Sequence, residues 1–141
     1  MEILTCSNII TGCSPADPES VIRRCGRMLV DSGYAKERYI EGMLARNRSF
    51  SVAIGNLIAI PHGEKDYKDD VIATGLAVLA YPDGIDWGGE PVKLVIGIAA
   101  QGDEHLEILA RLVEVAEDQA AVEALVQSGD AAAIHAAFTQ D

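Results

Sequence analysis

The pattern of apolar and polar positions divides the 141-residue chain into runs of two different periods. In "DPESVIRRCGRMLVDSG", Asp17 to Gly33, the residues Ile22, Cys25, Leu29 and Val30 recur at helical spacing. Asp17 is placed to cap this helix. Pro18 suits its first turn, where a missing N–H costs nothing, and Gly33 marks the stop. A second helix is predicted from Ala35 to Arg46, with Ile40, Met43 and Leu44 turned inward. The period then changes. "SVAIGNLIAIP" and "VIATGLAVLAYP" read as strands, "PDGIDWGGEP" as a turn, and "VKLVIGIAA", apolar almost throughout, as a strand covered on both faces. Helical spacing returns in "DEHLEILARLVEVAED", whose inner face is predicted to hold Leu106, Leu109, Leu112 and Val113, and continues through "QAAVEALVQSG" and "DAAAIHAAF". No linker, repeat or low-complexity tract interrupts the order, so a single α/β domain over residues 1–141 is expected.

Composition narrows the classes. A chain of this length can bury a core without disulfides or metals. Apolar content of 49% with mean hydropathy +0.14 fits a soluble globular protein. No run approaches the roughly 18 consecutive apolar residues of a membrane helix, so membrane insertion is not expected. The start, "MEILTCSNII", lacks the basic and apolar regions of a secretory signal, which points to the cytoplasm. Cys6, Cys13 and Cys25 are odd in number and contain no C-x-x-C pair, so reduced thiols are expected. The net charge is -11, from 22 acids against 11 bases, and such a surface repels phosphate backbones. Nucleic acid and anionic membrane are therefore not expected partners.

The candidate chemistry lies at strand ends. His62 follows the apolar run ending at Ile60, and His105 follows "LVIGIAA" across the turn "QGDE". In open α/β sheets, sites gather where loops leave the ends of covered strands. Pro61 constrains the turn before His62, and Gly63 permits either a close backbone approach or a positive φ. A neutral imidazole needs no separate base to attack phosphorus. It needs the right tautomer, held by a carbonyl on its other nitrogen. His105 is placed in the first turn of a helix with Asp103 as candidate N-cap, where unpaired N–H groups and the helix dipole favour anions and a neutral ring. Arg46 and Arg48 close the second helix just before the strand leading to His62, and an arginine fork suits the equatorial oxygens of a transferred phosphoryl group. Arg48, two residues on, is expected to face elsewhere. His135, in an alanine-rich helix without polar company, is expected to be structural.

These residues carry a family resemblance. "GNLIAIPHG", with Arg46 nine residues before Gly55, "GYAKERYIEGMLAR" upstream, "TGLAVLAYPDGIDWGGEPVKLVIGIAA" and then "GIAAQGDEHLEIL", resembles the mannitol/fructose-type enzyme IIA domain of the bacterial sugar phosphotransferase system along essentially the whole chain. The resemblance implies a mixed β-sheet flanked by α-helices and a phosphohistidine relay without a cofactor. His62 matches the histidine that accepts the phosphoryl group from the phosphocarrier protein HPr and yields it to a cysteine of a IIB domain, which works with a IIC membrane component. His105 matches the second active-site histidine and Arg46 the active-site arginine, so the two histidines should share one shallow depression. One departure is visible: relatives often carry an acidic residue after the arginine, and Asn47 stands here. No IIB or membrane domain is expected on this chain.

Three other readings compete. A regulatory, nitrogen-related paralogue would use the same phosphohistidine as a signal. A metal site built from His62, His105 and acids such as Glu64 or Glu104 has suitable residue types but no compact ligand spacing. A plain ligand-binding module would need no covalent chemistry.

Overall fold

The helices form where capping and periodicity coincide. In the computed structural model, which describes residues 3–102 and 104–139 and not the side chains of Lys65, Glu104, His105 and Leu106, α1 spans Pro18–Asp31. Its Asp17 cap accepts from the Ser20 N–H at 3.1 Å and from the Ser20 hydroxyl at 2.7 Å. Ile22, Cys25 and Leu29 are buried as expected, and Val30 is half-buried. The second helix, α2, runs Arg38–Ser49, three residues later than predicted at each end. The reason is that Ala35 pairs in an isolated antiparallel bridge with Val71 instead of starting the helix. Ile40, Met43 and Leu44 nevertheless face the core.

Among the described residues the sheet is mixed and has five strands, β1 (Ile9–Ile10), β2 (Ala53–Gly55), β3 (Ile58–Ala59), β4 (Gly75–Trp87) and β5 (Glu90–Ala99), in the order β1-β4-β5-β3-β2. β1 and β4 are parallel, as are β3 and β5; β4 with β5 and β2 with β3 are antiparallel. Along β5, Leu94, Ile96 and Ile98 enter one apolar cluster and Val95 and Ala99 the other, the period-two alternation of a sheet covered on both faces. α1 and α2 cover the Val95 face. α3 (Glu104–Ala116), α4 (Gln119–Ser128) and α5 (Ala131–Thr139) cover the Leu94 face.

Three expectations are corrected. "SVAIGNLIAIP" is a hairpin rather than one strand: Gly55, Asn56 and Leu57 take φ of 91°, 52° and 72°, and the left-handed turn folds β2 back on β3. The Asn56 side chain donates to the carbonyl of Ala116, the last residue of α3. "PDGIDW" is strand rather than turn. β4 continues through it, with a register shift between Ala80 and Ile85, and the reversal falls at Gly88–Gly89, with Trp87 opposite Glu90. Val113 is 52% exposed, so the inner face of α3 is set by Leu112 and Ala116, which are buried, with Ile108 and Leu109 packed beside them. Among the described residues no helix is long and apolar enough to cross a membrane.

Candidate active site

β3 and β5 are parallel neighbours, so their C-terminal ends meet at one edge of the sheet. His62 lies just past β3, opposite Ile98 in the same register as the pairs Ile58–Leu94 and Ala59–Val95. The half-buried ring turns back on its own strand: Nδ1 lies 2.8 Å from the Ile60 carbonyl. A carbonyl only accepts, so Nδ1 carries the proton and the lone pair belongs to Nε2. Ile60 is itself fixed, its N–H donating to the Val52 carbonyl at 2.9 Å.

Gly63 uses one of the two freedoms that sequence leaves open to it. Its φ is not positive. It gives room instead: a Cβ there would lie 2.4 Å from Cε1 of Tyr39. The Tyr39 hydroxyl accepts from the Gly63 N–H at 2.9 Å and donates to the Ile98 carbonyl at 2.8 Å. Burial pushes its pKa up to about 12, so the phenol stays protonated. Sequence reasoning overlooked Tyr39. The available signal was a tyrosine on the buried face of α2, whose hydroxyl would need a partner.

Arg46 reaches the same place. Its Nη1 donates to the Phe50 carbonyl at 2.8 Å, at the end of α2, with the guanidinium 5.6 Å from the Phe50 ring centre. It forms no ion pair among the described residues, although the chain is strongly acidic. Arg48 faces α1 and grips Glu19 with two bonds, Nε at 2.9 Å and Nη2 at 3.3 Å. Asn47 turns inward. Its Oδ1 accepts from the Trp87 indole at 3.0 Å and from the Val52 N–H at 3.2 Å, so the departure from the acidic residue of relatives falls on a scaffold contact.

His62, Arg46, Tyr39, Glu64, Lys68 and Gly102 line one depression of about 790 Å³. Glu64 accepts from the Ser49 hydroxyl at 2.9 Å. α3 begins at Glu104, two residues past Gly102, and Leu109, one turn into that helix, also lines the depression, so the α3 N-terminus opens on its rim. The backbone of His105 is in that first turn. The His105 ring and Asp103 lie outside the described residues, and with them the expected facing of the two rings.

His135 lines a separate groove with Leu4 and Phe138. It does have polar company, contrary to expectation: Nε2 donates to the Leu4 carbonyl at 2.9 Å, tying α5 to the N-terminal segment. All three cysteines are free thiols; Cys6 is exposed, whereas burial raises the pKa of Cys13 and pushes Cys25 up to about 12. Among the described residues no three His, Cys, Asp or Glu side chains are close enough to hold a metal ion. The depression therefore offers a tautomer-fixed imidazole, an arginine without an ion-pair partner among the described residues, and a helix N-terminus, the parts of a phosphoryl-transfer site.

Known proteins agree with this chemistry. The family model described as "Phosphoenolpyruvate-dependent sugar phosphotransferase system, EIIA 2" matches residues 2–141. The chain is 36% identical over 139 residues to the mannitol-specific phosphotransferase enzyme IIA component of Staphylococcus aureus (strain MRSA252), covering 99% of this chain and 96% of that one. It is 40% identical over 129 residues to the component of the same name from Geobacillus stearothermophilus, covering 91% and 89%. In the solved complex of enzyme IIAMTL and phosphorylated enzyme IIBMTL from Escherichia coli, the similar chain superposes with a TM-score of 0.90 at 32% identity, over 98% of each chain. Motif order, fold and full-length matches lead to one conclusion: the chain belongs to the EIIA 2 family of the phosphoenolpyruvate-dependent sugar phosphotransferase system.

Proposed function

We propose that His62 is the phosphoryl acceptor, that it receives the group from the phosphocarrier protein HPr, and that it passes it to the cysteine of a IIB domain of the mannitol type. The observation that carries this reading is the 2.8 Å contact from Nδ1 to the Ile60 carbonyl, which puts the lone pair on Nε2 before any partner arrives. In the first step the Nε2 lone pair attacks phosphorus, and the P–N bond to the donor histidine breaks with its electron pair returning to that nitrogen. The ring gains positive character, which the Ile60 carbonyl stabilises through Nδ1–H. In the second step the IIB thiolate attacks, a P–S bond forms, and Nε2 recovers its pair. Arg46 supplies charge to the equatorial oxygens, joined by the α3 N-terminus and by His105 as a neutral donor. None of these steps needs a metal or cofactor.

A depression of about 790 Å³ suits protein partners that bring their own reacting residue. Sugar choice then belongs to the membrane component. Identity of 36–40% with mannitol-specific components supports a mannitol-type acceptor. A purely regulatory protein would share the first step and lack the second.

The test uses radiolabelled phosphoenolpyruvate, enzyme I, HPr and a mannitol-type IIB domain. One phosphoryl group, stable to alkali and labile to acid, should appear on the wild-type chain and none on His62→Ala, and label should move on to IIB. Equal labelling of His62→Ala would overturn the assignment. Labelling without onward transfer would favour the regulatory reading.

A further inference from the structure

The strand that carries His62 leaves the sheet in an unusual way. The parallel register of β3 and β5 persists past Pro61, and on one side of the His62–Ile98 pair the ladder is regular, the Ile98 N–H donating to the Pro61 carbonyl at 2.9 Å. On the other side a parallel ladder would send the Gly63 N–H directly to the Ile98 carbonyl. Both groups bond instead to the Tyr39 hydroxyl, at 2.9 Å and 2.8 Å. One oxygen atom thus bridges the two strands where their pairing ends, at His62 and Ile98.

We propose that Tyr39 is a positioning residue for phosphoryl transfer, a hydroxyl wedge that sets the height and direction of the His62 ring above the sheet edge. This rests on the reading of His62 as the phosphoryl acceptor. The wedge is rigid: Tyr39 is 5% exposed, and its ring lies against Gly63, where a side chain has no room. Burial holds the phenol protonated, so it remains a donor to Ile98 while accepting from Gly63. Tyr39 and Arg46 are two turns apart on α2 and both line the depression, so one helix sets the heights of the nucleophile and of the guanidinium.

Without the hydroxyl, Gly63 and Ile98 either close the gap and bond directly or take up water. Closing would draw the turn towards β5 and tip the ring. Misplacement of a reacting atom by about 1 Å costs up to about 10²-fold in rate.

The test is Tyr39→Phe, which keeps the ring and removes one oxygen. Its rate of phosphorylation by phospho-HPr should fall about 10–100-fold, with KM for phospho-HPr changed by less than about twofold, because the docking surface is intact. The ring ¹⁵N spectrum of His62 should show the single Nδ1–H tautomer in the wild type and a shifted or mixed pattern in the variant. A wild-type rate together with a wild-type ¹⁵N pattern overturns the proposal. If the wild type itself takes no phosphoryl group, the relay reading fails, and the ¹⁵N comparison still decides whether Tyr39 positions the ring. Should Tyr39→Phe not fold, replacing tyrosine with 3-fluorotyrosine keeps the shape and changes the donor strength; His62 ring signals that do not move then overturn the proposal.

Discussion

Gly97 sits on β5 next to Ile98, and its substitution by alanine sets two effects of opposite sign against each other. A Cβ at this position would lie 2.2 Å from Cys25 Sγ and 3.6 Å from Leu29 Cδ1. The first distance is well inside the ~3.5–4.0 Å at which non-bonded heavy atoms attract. Cys25 and Leu29 are fully buried, and Cys25 is further held by its contact with the Ala77 carbonyl at 3.5 Å, so the sulfur cannot swing into solvent. Gly→Ala at an ordinary φ should stabilise by about 0.4–1 kcal/mol through the unfolded state, whereas overpacking a filled core costs about 1–3 kcal/mol. The clash wins. Gly97→Ala should lose about 0.5–2 kcal/mol, a fall in Tm of about 2–8 °C for a chain of this size. Cys25→Ala alone should lose about 1 kcal/mol by leaving a small void. The double variant places the new methyl where the sulfur was, so it should be more stable than the sum of the single changes by at least about 1 kcal/mol. Urea unfolding followed by fluorescence of Trp87, the single tryptophan and 2% exposed, measures all four proteins with a common m-value. Additivity within about 0.5 kcal/mol would refute the packing argument.

His105→Ala should still accept label but should transfer about 10²–10³-fold more slowly, as expected when one donor to developing charge is removed; stopped-flow or quench-flow with HPr and IIB measures it, and wild-type rates in both directions would count against the role. Asn47 uses its side-chain oxygen to accept two N–H groups, so Asn47→Asp should retain the fold to within about 1 kcal/mol, while Asn47→Leu, which leaves the buried Trp87 N–H unpaired, should lose about 2–3 kcal/mol in urea melts. Burial raises Tyr39 from an ordinary 10 to about 12 and Cys25 from 9 to about 12, so the folded chain holds protons that the unfolded chain has released. Stability should therefore be intact below about pH 9 and fall progressively towards pH 12; denaturation midpoints unchanged between pH 9 and 11 would contradict this.

Much of the architecture could be read from the chain because the strongest patterns are ones that tertiary context rarely overrides. The capped start at Asp17 and Pro18 and the apolar run before His62 are local decisions. The hairpin inside "SVAIGNLIAIP" was hidden by apolar Leu57, a residue with an unfavourable cost at positive φ, which outweighed the Gly-Asn turn signal beside it. "PDGIDW" looked like a turn because proline and glycine usually break strands; a register shift absorbs both. Val113 failed for a different reason, since apolar spacing in a helix gives a face but not its limits. At the site, the positions of His62 and Arg46 were legible as motif and helix end. Tyr39 was not, because the bond it replaces joins residues 63 and 98, and nothing local to residue 39 records that ladder.

The bond from Asn56 to the end of α3 makes that helix one arm of a pair of calipers. The other arm is β3, which leaves the same turn and leads on to His62 just past its end; α3 ends at Ala116 beside the turn and begins near the rim of the depression. With 13 residues, α3 is about 20 Å long, so a tilt of about three degrees about its Asn56 end moves its first turn by about 1 Å. The Asn56 bond therefore ties the turn that starts β3 to the far end of the helix whose first turn borders the depression, and the distance between the two tips is sensitive to the angle held there.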